Sequence, residues 1–170
     1  MSANTLLERP DVAQLAGKYM GFQLGKETFG VEILKVQEII GMLDVTAVPR
    51  TPDFVRGVIN LRGRVIPVVD LRRKFNLPAI PDTELTCIVV VQVTVGQNEV
   101  TMGVIVDQVS EVMNITADNV EPTPSLGHAE AEKFLLGIGK FNQTVILLLD
   151  VDRILSHGEW NLVGAMGEED

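Results

Sequence analysis

Apolar and polar residues alternate with a period near two over much of the chain, and Gly, Pro or Asn breaks the pattern every several residues. Met20, Phe22 and Leu24 alternate with smaller or polar residues up to Gly25-Lys26-Glu27, and Val91, Val93 and Val95 do so up to Gly96-Gln97-Asn98. Each stretch predicts a β-hairpin. The segments RVIPVVDL, ending at Leu71, and TVILLLDV, ending at Val151, are nearly continuous apolar runs, as strands covered on both faces are. Pro67 in the first predicts an edge or bulge position, because proline lacks the N–H that a sheet ladder uses. Short helical turns are expected next, at 71–75 and 151–155. Helical periodicity is weak elsewhere, so the fold class is all-β.

The pattern occurs twice. GVEILKVQEII, from Gly30 to Ile40, aligns without gaps on GVIVDQVSEVM, from Gly103 to Met113, so Gly30 matches Gly103, Val36 matches Val109 and Glu38 matches Glu111. GVINLRGRVIPVVDL, from Gly57, aligns on GIGKFNQTVILLLDV, from Gly137, and matches Asp70 with Asp150. The second copy is longer between these blocks, where NVEPTPSLGHAEAEKF carries the turn formers and charge of a loop. With about 70 residues and five or so short strands, each copy suits a small barrel, whose closure removes exposed sheet edges. One barrel is expected at about 18–80 and the other at about 85–157, with the valine-rich GVxI segments of both copies at their junction. Residues 1–16 are expected to be loosely held. An acidic tail, 158–170, follows, where Trp160, Leu162 and Val163 can anchor a short C-terminal helix.

Asp and Glu total 23 against 14 Lys and Arg, a net charge of −9. Such a field repels phosphate backbones and anionic lipid, so no nucleic-acid partner or direct membrane contact is expected, and the free protein is expected to be a monomer. The longest apolar runs, Ile88 to Val91 and Val145 to Leu149, fall far short of the roughly 20 residues a spanning helix needs. The first twenty residues lack the layout of a secretory signal, so a cytoplasmic location is expected. Cys87 is the single cysteine, so no internal disulfide can form, and with only His128 and His157 elsewhere in the chain the usual ligands of a structural zinc site are missing. Within CIVVV it reads as inert core, as do Met102 and Met113 at strand positions. There is no phosphate-binding G-x-x-x-x-G-K-[ST] loop and no nucleophile motif to pair with a histidine, so no cofactor, metal or catalytic triad is expected.

Two charged pairs remain. Asp70 and Asp150, one per copy, have the symmetry of a carboxylate pair that shares a proton, which is the hydrolase reading. Both also sit where a strand gives way to a helical turn, the place of an N-cap, and that reading is favoured. Glu38 and Arg62 are the second. Arg62 lies in the tight turn Asn60-Leu61-Arg62-Gly63, and the pair reads either as solvated charges or as part of a binding loop.

The strings FGVEILKVQEII, VPRTPDFVRGVINLRGRVIPVVDLRRKF and MGVIVDQVSEVM, in this order, resemble the CheW-like family of chemotaxis coupling domains over about Lys18 to His157. The resemblance implies two SH3-like five-stranded β-barrel subdomains and a function without catalysis. Family members link the cytoplasmic hairpin tips of methyl-accepting chemoreceptors to the regulatory domain of the histidine kinase CheA, and are recruited through receptors to the inner face of the membrane. By matching positions, a receptor-binding groove would contain Val36, Glu38, Gly57 and Arg62 with Val104, Val106 and Val109. A kinase-binding edge would contain Gly41, Met42, Val45 and Gly63. Nothing in the sequence signals a receiver domain, phosphotransfer histidine or ATP-binding module, so a lone coupling domain, distinct from CheA and CheV, is expected. A CheW-like adaptor of a twitching-motility pathway would carry the same fold.

Overall fold

A computed structural model describes residues 12–124, 133–156 and 158–160. Among these, β1 (Gly17–Leu24) and β2 (Glu27–Glu32) form the first expected hairpin, and β6 (Cys87–Val95) and β7 (Asn98–Val106) form the second. The first copy continues with β3 (Val36–Gly41), β4 (Val55–Leu61), β5 (Arg64–Asp70) and the single helical turn α1 (Leu71–Lys74). The second continues with β8 (Gln108–Ile115), β9 (Val120–Glu121), β10 (Leu135–Phe141), β11 (Thr144–Leu149) and a 3-10 turn at Val151–Arg153. The two expected helical turns are thus present, and strands dominate.

The hydrogen-bonded sheets mix the copies. One has the order β8-β1-β2-β11-β10-β9 and the other β3-β6-β7-β5-β4, so each hairpin sits in a sheet with strands of the opposite copy. A bridge from Thr46 to Val58 on β4 stands where β9 stands beside β10, so the two orders repeat each other. The sheets therefore do not divide near residues 80–85 as the repeat alone led us to expect. Link length explains the exchange. Were β3 to pair with β1 as β8 does, antiparallel, it would have to start at the far end of β2. Returning along a six-residue strand takes about 20 Å, whereas the three-residue link Ile33–Lys35 spans about 10 Å. Asp107 alone joins β7 to β8 and imposes the same crossing.

Alternation along the strands gives each sheet two buried faces. Ile59, Ile66, Val68, Ile88, Val90 and Ile105 fill the inside of the five-stranded sheet, and Leu15, Tyr19, Met113, Ile115, Ile146 and Leu148 that of the other. The largest cluster lies between the sheets and takes Phe22, Phe29 and Val31 from one and Val69, Val89, Val91, Val104 and Val106 from the other. The expected junction role of the GVxI segments is therefore seen. Among the described residues neither sheet closes through backbone hydrogen bonds, although contact of β8 with β10 shows that the six-stranded one curls round its core. Pro67 is not at an edge. It is buried in β5, between β4 and β7, and the parallel ladder with β7 starts at Val68, one residue past the proline. At the N-terminus, Val12–Leu15 forms a 3-10 turn that buries Leu15 and accepts a 2.7 Å hydrogen bond from the Tyr19 hydroxyl, so this part of 1–16 is packed. Gly158, Glu159 and Trp160 are helical and Trp160 is buried, while Leu162 and Val163 lie outside the described residues.

Each crossing link is pinned by an ion pair. Arg72 donates to Asp107 from Nε (2.7 Å) and Nη2 (2.6 Å), and the Gly25 N–H donates to the same carboxylate (2.8 Å). Lys35 donates to Asp152 at 3.0 Å, as does the Thr94 N–H at 2.8 Å. The hydrogen bonds from Arg72 hold the Asp107 carboxyl below the usual carboxylate range, against the opposing effect of burial. Because the folded value is the lower one, this contribution to stability is complete above the ordinary aspartate pKa of about 3.9 and is lost as pH falls through the folded value. Asp107→Asn is expected to cost about 1.5–3 kcal/mol at neutral pH, and its deficit against wild type should narrow as pH falls below about 3.9. Urea denaturation of both proteins at pH 7 and near pH 3 checks this.

Candidate functional site

Of the expected site residues, Glu38 and Arg62 come together outside the core. β3 and β4 are the two edges of the five-stranded sheet, with Glu38 on β3 and Arg62 in the turn from β4 to β5. The two-residue turn has φ 54° at Arg62 and 84° at Gly63, the doubly left-handed form that matches hairpin twist. The Asn60 Oδ1 accepts the Gly63 N–H at 2.9 Å. From the turn the guanidinium reaches across to Glu38 and donates from both terminal nitrogens, Nη2 to Oε1 at 2.8 Å. A side-chain fork thus joins the two edges where backbone pairing does not. Glu38 is 27% exposed and Arg62 71%. The hydrogen bond from Arg62 holds the Glu38 carboxyl below its ordinary range, and the reciprocal bond raises the guanidinium further. Beside the pair is a shallow depression of about 150 Å³, lined by Gln37, Leu61, Arg64, Ile66 and Thr101.

The other candidates divide by burial. Val36 and Val109 are half-buried at the margin of the inter-sheet core. Val104 and Val106, expected as groove walls, are only 2% and 1% exposed inside that core, so they support the junction and present no surface. They were misplaced because β7 is covered on both faces, between the two cores. Gly57 is buried as well. At φ 144° an added Cβ would stand 2.1 Å from the Thr46 carbonyl oxygen, so this glycine permits a close backbone approach and offers no contact of its own. Gly57→Ala is expected to displace the Thr46 segment and destabilise the protein, by more than the roughly 0.4–1 kcal/mol by which the same change stabilises an unstrained site. Thermal melting of the variant measures it. Gly41 ends β3 and is exposed, Met42 and Val45 are half-buried against the core of the five-stranded sheet, and Gly63 belongs to the turn that carries Arg62.

The chemical alternatives fare differently. Asp70 accepts the Arg72 N–H (3.0 Å) and a bond from Arg56 (3.2 Å), and Asp150 accepts the Asp152 N–H (3.2 Å), so each caps its own helical turn. Burial pushes the Asp150 carboxyl up. Burial likewise raises the Cys87 thiol, which keeps it protonated. His128 and His157 lie outside the described residues. Sequence reasoning missed Gln37, Arg64 and Thr101, because only the curling of the sheet brings β3, β5 and β7 round one depression. It treated Asn60 as part of a turn and gave it no role, although the carboxamide before Arg62-Gly63 was a readable signal.

The family profile described as "CheW-like domain" matches residues 18–159. The chain belongs to the CheW-like family. A "Chemotaxis protein CheW" of Klebsiella aerogenes is 40% identical over 157 residues, which span 89% of this chain and 92% of that one. One from Helicobacter pylori is 34% identical over 138 residues, 81% of each chain. The crystal structure of the scaffolding protein TtCheW from Thermoanaerobacter tengcongensis matches with a TM-score of 0.75 at 30% identity, over 85% of this chain and 96% of that one. The exchanged two-sheet architecture is therefore a CheW-like fold. Members of the family are non-catalytic scaffolds, which decides against the hydrolase reading of Asp70 and Asp150. No helix among the described residues is long and apolar enough to cross a membrane.

Proposed function

We propose that this CheW-like chain is a chemotaxis adaptor that couples the cytoplasmic hairpin tips of methyl-accepting chemoreceptors to the regulatory domain of CheA. The observation that carries this reading is the 40% identity to a chemotaxis CheW across nearly the full length of both chains. The site geometry supports it. Val36 and Val109 offer an apolar margin, which suits the apolar face of an amphipathic helix, and the Glu38–Arg62 pair offers charged, forked hydrogen bonding. In this reading the receptor touches Val36, Glu38, Arg62 and Val109, while Gly57, Val104 and Val106 hold the surface in place from beneath. The kinase domain takes the edge formed by Gly41, Met42 and Val45, with Gly63 beside it. The protein works in the cytoplasm and meets the membrane only through receptors.

The test is binding. A soluble receptor-tip fragment and an isolated CheA regulatory domain should each bind the chain, and a mixture of all three should give a ternary complex on a sizing column. Binding of neither partner, or strict competition between them for one site, contradicts the adaptor role.

A further inference from the structure

We infer that Asn60 is the positioning residue of the binding pair: its carboxamide clamps the turn so that the Arg62 guanidinium is presented to Glu38 and to the partner in one orientation. The inference deepens the adaptor reading and rests on it only for the identity of the partner.

The internal repeat supplies the control. Lys140 occupies the position of Asn60 in the second copy, and Asn142 and Gln143 occupy those of Arg62 and Gly63. Lys140 is engaged with Glu121 at 3.0 Å, yet the turn beyond it still takes left-handed values, 49° at Asn142 and 66° at Gln143. The backbone turn therefore forms without an asparagine before it. Both left-handed positions differ, with asparagine and glutamine in the second copy against arginine and glycine in the first, and the first of them is the one that carries the guanidinium. Asparagine tolerates that region, whereas arginine is disfavoured there and gains nothing locally by occupying it. In the first copy the Asn60 Oδ1 accepts the Gly63 N–H at 2.9 Å and fixes the turn just where the arginine is carried. The second copy has a glutamate in the position of Glu38, Glu111, but no arginine in its turn to reach it. The cap thus accompanies the arginine and its forked bond, and both are absent from the turn that has neither.

The planar guanidinium makes two parallel bonds only when its plane is held, so loosening the turn should blunt the fork before it affects folding. Glu38 reports this directly, because its carboxyl is held low by the Arg62 bond. The experiment is an NMR titration of Glu38 in the free full-length protein, with receptor-fragment affinity and melting temperature measured on the same samples. Wild type should titrate below the ordinary range and Arg62→Ala within it. Asn60→Ala should move Glu38 at least half of that distance and weaken receptor binding several-fold with little change in melting temperature. Asn60→Ser, whose hydroxyl can accept the same N–H more weakly, should fall between, and it decides the matter if the alanine variant fails to fold. Titration of Glu38 in these variants as in wild type overturns the inference. If wild type binds no receptor fragment, the adaptor reading falls, while the titration still decides the role of Asn60.

Discussion

Replacing Arg62 with alanine is expected to abolish coupling of receptor to kinase while the protein remains folded. The guanidinium is largely exposed, and its partner Glu38 lies on an exposed-to-half-buried edge strand, so solvent replaces the lost internal bond with little effect on stability. At an interface the same fork is desolvated, and truncating an anchor of this kind commonly weakens binding by more than about tenfold. Arg62→Lys should rescue poorly, since lysine keeps the charge and loses the planar geometry that matches a carboxylate. Receptor affinity, kinase activation and melting temperature of the three proteins separate the possibilities. Normal activation by the alanine variant removes the pair from the site, and early melting assigns it to the fold.

The second large effect distinguishes the core valines from the marginal ones. Val104→Asp should leave little folded protein, because it buries a carboxylate without a partner in the cluster between the sheets. That penalty is several kcal/mol, comparable with the whole stability of about 5–15 kcal/mol of an ordinary domain. Val36→Asp and Val109→Asp, at the margin of the same cluster, should remain folded and lose receptor binding more than kinase binding. Circular dichroism melts with paired affinity measurements decide it. A stable Val104→Asp that has lost only receptor binding would place this residue on the surface after all.

Local chemistry made much of the fold readable in the sequence. Gly25 and Gly96 marked both hairpins, and both take the left-handed φ expected of turn glycines. Asp70 and Asp150 sit as the N-caps that a strand-to-helix step asks for. What could not be read was which strands pair. Periodicity shows that Val31 and Val104 face a core but says nothing of whose core it is, and the exchange of hairpins follows from two short links whose meaning depends on strand direction. The same gap explains the site. Glu38 and Arg62 are singled out by type and turn, whereas Val104 and Val106 enter by positional matching to a family surface, and only burial separates a valine on that surface from one behind it.

The most direct measurement of the central claim is autophosphorylation of CheA in the presence of membrane-embedded receptors, with and without this chain. The adaptor reading expects receptor control of the kinase to appear when the chain is added, to follow its concentration to saturation, and to be absent with Arg62→Ala. Receptor control that is equally strong without the chain, or a kinase that stays insensitive to receptors at saturating chain, contradicts it.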